Sequence, residues 1–475
     1  MPPSLSTRLF QHLVPVAASC FLATVAHPAP PAPRPPSIVF VLADDLGYAE
    51  LGCYGQKVIQ TPRLDAMARE GVRFTQFYAG APVCGPSRSV LMTGLNQGRT
   101  RVRGNRSDPA RMALHEEDAT VAQLLKAAGY RTAAFGKWGL GDFGAAASGL
   151  PRRHGFEHFF GYLNHFHAHN HFPAFLWRNE ERFTLPNEVT PVGDHGGGVT
   201  EQPVLFADDL ITDEVLQWIT ANQQGPFFIY WNPVLPHANN ERTRLHGNGT
   251  EVPDLGPYAG TNWPEPDKGQ AAMITRLDSY VGRLLDHLRR LGLDHTTLVV
   301  FTSDNGPHNE SNHDLARFQP AAPFRGIKRD LTDGGIRVPF IAWWPGQIAP
   351  GGTSPHVGYF GDWFATTAAL AGIPAPSGLD SISCLPSLLG TPGQQEHEFI
   401  YWEFHEGGFS QAALLEGRWK AIRLGRDDAS LALYDLQSDP AEGQDLAAAR
   451  PDLIARFEAY FKTARTPSPD WPTTR

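Results

Sequence analysis

The sequence predicts an α/β fold: a large mixed, mostly parallel sheet sandwiched by helices, followed by a smaller C-terminal antiparallel-sheet α+β subdomain. Three observations carry this. Residues 38–42, 227–230 and 298–301 are continuous apolar runs, without the polar alternation of a half-wet strand, as expected of strands buried on both faces of a sheet. Amphipathic stretches lie between them, one of which sets Ile274, Leu277, Val281, Leu284, Leu285 and Leu288 on a single helical face. Past about Pro392 the pattern changes to short strands separated by turn signals.

Taken in order, the run at 38–42 ends in Asp44-Asp45. Thr61-Pro62 opens a helix through Leu64, Met67 and Ala68 that stops at Gly71, with proline inside the start and glycine past the end. A strand over 72–78 leads into the loop that carries Cys84. A second helix, starting at Asp118, carries Val121, Leu124 and Leu125 to Gly129, and a strand through Ala133, Ala134 and Phe135 delivers Gly136-Lys137. A helix with Leu205, Leu210, Val215 and Trp218 precedes the strand 227–230, which is followed by Pro236-His237. The long helix then leads to the strand 298–301 and to Ser303-Asp304-Asn305-Gly306. Alternating strands and helices imply a parallel sheet covered on both faces. The two carboxylates, Lys137, His237 and Asp304 then all fall just past strand C-termini, where open α/β sheets gather ligands. Strands near 399–402, 412–415, 419–422 and 431–434, a Glu416-Gly417 hairpin turn and a helix over 451–460 complete the chain. The expected domains are a catalytic domain at 37–393 and a subdomain at 394–475 that closes one side of the site.

The totals exclude several classes. A chain of 475 residues with net charge −9 offers no polyanion-binding surface. Its one basic cluster, Arg99, Arg101, Arg103 and Arg106, is short, broken by glycines, and reads as solvated or internally paired, so no nucleic-acid partner is expected. Arg8 and the apolar run 13–26 read as a secretory signal over 1–26, followed by a Pro/Ala-rich spacer over 27–36. The run is too short for a membrane span and contains Pro15, so a secreted or periplasmic protein is expected. A lipoprotein reading through Cys20 meets Ala17 where a larger aliphatic residue is expected. Of the four cysteines, Cys53 and Cys384 could bridge, but two buried thiols is the preferred reading.

Adjacent Asp44 and Asp45 repel unless a cation or proton lies between them. With Asp304 and Asn305 they form an oxygen-only donor set, suited to calcium, or less well magnesium, rather than zinc. The stretch Cys84-Gly85-Pro86-Ser87-Arg88, running on to Thr93-Gly94, resembles the signature of the type I sulfatases, the arylsulfatase family on the alkaline phosphatase-like scaffold. The resemblance implies that a maturation enzyme oxidises Cys84 to formylglycine, whose hydrate attacks sulfur. It also implies a calcium ion held by Asp44, Asp45, Asp304, Asn305 and an oxygen of residue 84. Arg88, Lys137, His237 and Lys328 match the family's catalytic residues: Lys137 and Lys328 bind sulfate and His237 contacts sulfate and the leaving group. The implied cycle is covalent, with sulfate passing to one hydroxyl and leaving when the other is deprotonated.

One position departs from the family. The histidine expected two residues after Lys137, as base for that elimination, is Gly139 here. Replacement bases are sought in residues 164–171, where four histidines alternate and would share one face of a strand. His167, His169 and Asn170, with His308, are the expected substrate-binding residues, and the nearby Phe172, Trp177 and Arg178 suit a sulfated carbohydrate or aryl sulfate. The alternatives are a phosphate or phosphonate ester hydrolase on the same scaffold, and an inactive sulfoglycan-binding homologue.

Overall fold

The structure is a computed structural model and describes residues 34–105 and 108–473. The signal sequence, most of the spacer, Cys20 and Arg106 lie outside the described residues. The described residues from Pro35 onward form one compact unit.

The main sheet has ten strands: β1 (Ser37–Ala43), β2 (Val72–Tyr78), β3 (Arg131–Lys137), β4 (His158–Tyr162), β5 (Phe175–Arg178), β6 (Glu181–Thr184), β9 (Phe227–Asn232), β10 (Thr297–Ser303), β11 (Arg337–Trp343) and β12 (Gly352–Tyr359). A separate hairpin pairs β7 (Glu188–Pro191) with β8 (Gly198–Gln202). The sheet order is β12-β2-β11-β10-β1-β9-β3-β4-β5-β6. Its centre, β10-β1-β9-β3-β4, is wholly parallel, and β11, β5 and the strand pairs they make are antiparallel. β1 and β10 are buried at every residue, as their unbroken apolar sequences require. Each face of the sheet carries its own core: Phe40, Tyr230 and Trp363 belong to one, Val41, Trp231 and Leu277 to the other.

Two helices show how the local sequence sets boundaries. The long helix Glu265–Arg290 covers one face through its apolar stripe, as expected. The helix expected from Asp118 instead starts at Val121: Thr120 caps it, and its hydroxyl and the Gln123 amide make a reciprocal capping box. The C-terminal sheet is β13 (Phe399–Phe404), β14 (Ser410–Leu415), β15 (Trp419–Arg423) and β16 (Ala432–Asp435), antiparallel throughout, with the helix Pro451–Phe461 packed on it. Its expected turn is present: Glu416 and Gly417 both adopt positive φ in the short connection between the paired Leu415 and Trp419.

Buried polar contacts join this sheet to the main one. Trp402 donates its indole N–H to the Ala79 carbonyl at 2.8 Å. Lys420, wholly buried, lies 2.8 Å from an Asp333 carboxylate oxygen and 3.0 Å from Glu442. Asp333 in turn receives the Tyr78 hydroxyl and Arg337, on β2 and β11. Removing one charge from such a set leaves the others buried without a partner. Lys420→Met should therefore destabilise the protein by about 3–5 kcal/mol in chemical denaturation; a loss below about 1 kcal/mol would show that the link between the sheets lies elsewhere.

Candidate active site

Cys84 opens the helix Cys84–Thr93, every residue of which is buried. The motif residues have separate physical duties. A Cβ on Gly85 would fall 2.6 Å from both the Asn105 amide oxygen and the Met112 methyl, so a side chain there would have to push these two aside. Pro86 sits in the first turn, where its missing N–H costs nothing. Gly94 ends the helix at φ 68°, the left-handed cap that glycine adopts freely. Cys84 thus stands at the positive end of a buried helix. Burial nevertheless pushes its thiol above the ordinary value, so the cysteine as synthesised is held protonated and is a weak nucleophile.

The acids meet at the strand ends as expected. Asp44 and Asp45 follow β1, Asp304 and Asn305 follow β10, and all four are fully buried. Asp304 accepts from Arg88 at 2.8 and 3.1 Å and from the Asp45 backbone N–H at 3.1 Å. Asn305 donates to Asp45 at 2.7 Å. Ligand atoms of Asp44, Asp304 and Cys84 come within 4.8 Å of one another. The Asp44 Oδ1 and Asn305 Oδ1 atoms are buried and accept no hydrogen bond, although buried polar atoms almost always have a partner. An oxygen-donor set with two such acceptors fits a hard divalent cation. Burial raises the Asp44 carboxyl, but Lys137, His237 and Arg88 together outweigh it and hold the group well below its ordinary value; Asp304 is pushed up to about 7 by burial and by Asp44.

Beside the acids lie two buried lysines and a buried histidine. Lys137, at the end of β3, is 2.6 Å from Asp44, and Lys328 is 2.8 Å from Asp45. His237 donates Nδ1–H to the Ala238 carbonyl at 2.7 Å, which leaves Nε2 as the acceptor facing Lys328 Nζ at 3.3 Å. Burial first, and then Lys328, depress its pKa far below the histidine norm, so the ring is neutral. Glu310, absent from the sequence reading, binds Lys328 at 3.0 Å and Arg329 at 2.7 Å.

The histidine segment corrects the strand expectation. Residues His165–Ala168 form a helical turn, because the Asn164 side chain accepts the His167 N–H as an N-cap. Alternate histidines therefore point to different sides. His165 faces the site: its Nδ1 lies 3.3 Å from Cys84 Sγ and its Nε2 3.1 Å from the Gly139 carbonyl. His169, one turn on, stacks on His237 with ring centroids 5.0 Å apart and bonds Glu241 at 2.9 Å. His167 does not join them; it is buried against Tyr162 and Phe175 and bonded to the Phe175 carbonyl. Asn170 is also turned inward, with its side-chain oxygen accepting the Phe172 N–H and the Thr200 hydroxyl. His308 stacks at 6.0 Å on the other side of His237 and is 1% exposed, so it supports that ring rather than lining an open cleft. Sequence reading also missed Asn105, which holds the Gly85 N–H and lies 3.6 Å from Cys84 Sγ. Its visible signal, an Asn-Arg-Ser triplet, points to glycosylation rather than to a site.

Among the described residues the other two cysteines are free, Cys384 buried beside Thr366 and Cys53 half-buried. The basic cluster is internally paired, Arg99 with Asp380, Arg101 with Glu117 and Asp118, and Arg103 with Glu403. Among the described residues no helix is long and apolar enough to cross a membrane.

Known proteins resemble the chain over most of its length. A family model described as Sulfatase matches residues 36–373, and one described as N-sulphoglucosamine sulphohydrolase, C-terminal, matches residues 327–457. The chain is 32% identical to arylsulfatase A of Homo sapiens, over 89% of this chain and 86% of that one. It is 33% identical to N-acetylgalactosamine-6-sulfatase of Canis lupus familiaris, over 82% and 72%. The structure of Ps i-CgsB in complex with k-i-k-neocarrahexaose superposes with a TM-score of 0.74 at 25% identity, covering 93% of this chain and 95% of that one. The phosphonate monoester hydrolase of Agrobacterium radiobacter shares the fold at 19% identity and a TM-score of 0.62, covering 90% and 95%. With its cysteine helix, its buried acids and their paired lysines in place, the chain belongs to the sulfatase family, the hydrolases of sulfuric esters.

Proposed function

We propose that this protein, once secreted or exported to a periplasm, removes sulfate from a sugar of a polysaccharide or glycosaminoglycan, using calcium and a formylglycine that a maturation enzyme makes from Cys84. The observation that carries the reading is the convergence of Cys84 Sγ with Asp44 and Asp304 oxygens within 4.8 Å, beside two lysines. Bound there, the two groups supply a hydroxyl that attacks sulfur and a cation that polarises it. Asp44, Asp45, Asp304 and Asn305 are the residues that would hold the ion.

The rest follows from the chain's own side chains. Asp44, Asp45, Asp304 and Glu310 balance Arg88, Lys137, Lys328 and Arg329 in charge. A divalent cation added to that set leaves a positive excess, which suits an anionic ester and stabilises charge developing in the transition state. Lys137 and Lys328 bind the anion, and the Lys328–His237 hydrogen bond keeps a proton available for the departing oxygen. At the mouth, Phe166 is 40% exposed and stacks on His195 at 5.6 Å, beside a hollow that His165 and Gly139 also line. That aromatic face suits the apolar side of a sugar ring. The sugar reading is also supported by the N-acetylgalactosamine-6-sulfatase relatives and the oligosaccharide complex of Ps i-CgsB.

The matured protein should release sulfate from at least one member of a panel of sulfated glycosaminoglycan and algal oligosaccharides, and cleave the matching phosphate ester far more slowly. Binding without release across the panel would favour a sulfoglycan-binding protein. Lys137→Ala should lower kcat by about 10²–10³-fold, and a loss below about threefold would remove Lys137 from the sulfate pocket. By calorimetric titration, Asp44→Asn should weaken calcium binding on the order of 100-fold or more, since even residues that only support a metal ligand contribute 10–100-fold. Unchanged affinity would exclude this ion site.

A further inference from the structure

The side chain of residue 84 has few polar neighbours. Asn105 reaches it with an amide N–H, which can only donate. Arg88 is committed to Asp304, the Lys137 carbonyl and Asn232, and Lys137 to Asp44. Oxygens of Asp44 and Asp304 come within 4.8 Å of it but belong to the ion site; the acceptor in hydrogen-bond contact with it is His165, whose Nδ1 lies 3.3 Å from Sγ. Its tautomer is set from the far side of the ring. Nε2 faces the Gly139 carbonyl at 3.1 Å, and a carbonyl only accepts, so Nε2 carries the hydrogen and Nδ1 presents a lone pair to residue 84.

Gly139 makes this arrangement possible. A Cβ at that position would lie 2.7 Å from His165 Cε1 and 3.1 Å from Nε2, so any side chain would overlap the ring. Its φ of +78° further restricts the position to glycine. The imidazole therefore fills the space above Gly139 and is fixed there by its carbonyl. The helical turn, capped by Asn164, points the ring inward, and Asn164 is itself held by Asp142 at 2.7 Å.

We propose that His165 is a catalytic residue of this chain: it accepts the proton from the side chain of residue 84 in the step that frees sulfate from the enzyme. The inference rests on the sulfatase reading above. In that step the O–H bond at residue 84 breaks and an N–H bond forms on Nδ1. The electron pair left on that oxygen closes a carbonyl, and the C–O bond to sulfate breaks with its pair leaving on sulfate. No electron donor or acceptor is required. The half-buried ring borders the hollow beside Phe166 and His195, through which the proton passes to solvent. A histidine from a separate segment thus does the work for which Gly139 has no side chain.

The test uses matured full-length protein and 4-nitrocatechol sulfate. Wild type should turn over continuously. His165→Ala should release about one equivalent of nitrocatechol per site and then fall about 10²–10⁴-fold in steady turnover, the range for loss of a general base. Mass spectrometry of its residue-84 peptide should show retained sulfate, and added imidazole should restore release. Gly139→Ala, which displaces the ring, should show the same retained mass. His165→Gln, similar in size but unable to take the proton, should behave like His165→Ala; recovery of turnover by Gln would mean that the ring only fills space. Turnover by His165→Ala within twofold of wild type, or loss of activity with neither retained sulfate nor imidazole rescue, would overturn the proposal. A wild type carrying the aldehyde at residue 84 yet inactive on this ester and on the sulfated oligosaccharide panel would instead overturn the sulfatase reading, and this inference with it.

Discussion

The site depends on one buried guanidinium. Arg88 has no exposed surface, yet it binds Asp304 with two of its nitrogens and the Lys137 carbonyl and Asn232 side chain with the third. Those partners sit at the ends of β10, β3 and β9, and Arg88 itself lies one turn below Cys84. A single side chain therefore ties the helix of residue 84 to three strand ends of the parallel sheet. A charge so deeply buried is tolerable only when fully paired, so the sheet, the helix and the acid cluster are mutually obligatory. Any rearrangement that moved one strand end would leave a charge in the core without its partner.

The same constraint explains why the surroundings are so polar and so enclosed. Six charged groups of the site, Asp44, Asp45, Arg88, Lys137, Asp304 and Lys328, are each at most 5% exposed. In that low-dielectric setting they act on one another, and on an incoming anion, far more strongly than they would in water. The histidines pack around this ionic centre as a support. His169 and His308 sandwich His237, and His171 bonds the His237 carbonyl at 2.8 Å, fixing the loop after β9. The C-terminal sheet approaches the same rim, where Glu406 pairs with Arg329 beside Lys328.

Much of this was legible in the residues because the parallel strands leave an unmistakable trace. Apolar runs without alternation fixed β1, β9 and β10, and the polar residues just after them had to meet at one edge. The antiparallel margins left weaker traces. β12 carries Pro355 and two glycines, and β5 and β6 are only four residues each, so neither propensity nor periodicity singles them out. The histidine segment misled for a definite reason: period-two histidines imitate a strand, and the N-cap at Asn164 was the competing signal. Read as a cap, Asn164 places His165 and His169 on one side of a turn and His167 on the other. The contact between His165 and Gly139, 26 positions apart, depends on backbone geometry that no local pattern encodes.

The central claim is that residue 84 works as an aldehyde made from cysteine, held against a divalent cation. Peptide mass spectrometry across residue 84, on protein purified from its native host, tests it most directly. The account predicts that the peptide carries the mass of formylglycine, or its hydrate, in place of the thiol. A peptide bearing only unmodified cysteine, from protein that still hydrolyses sulfate esters, would contradict it.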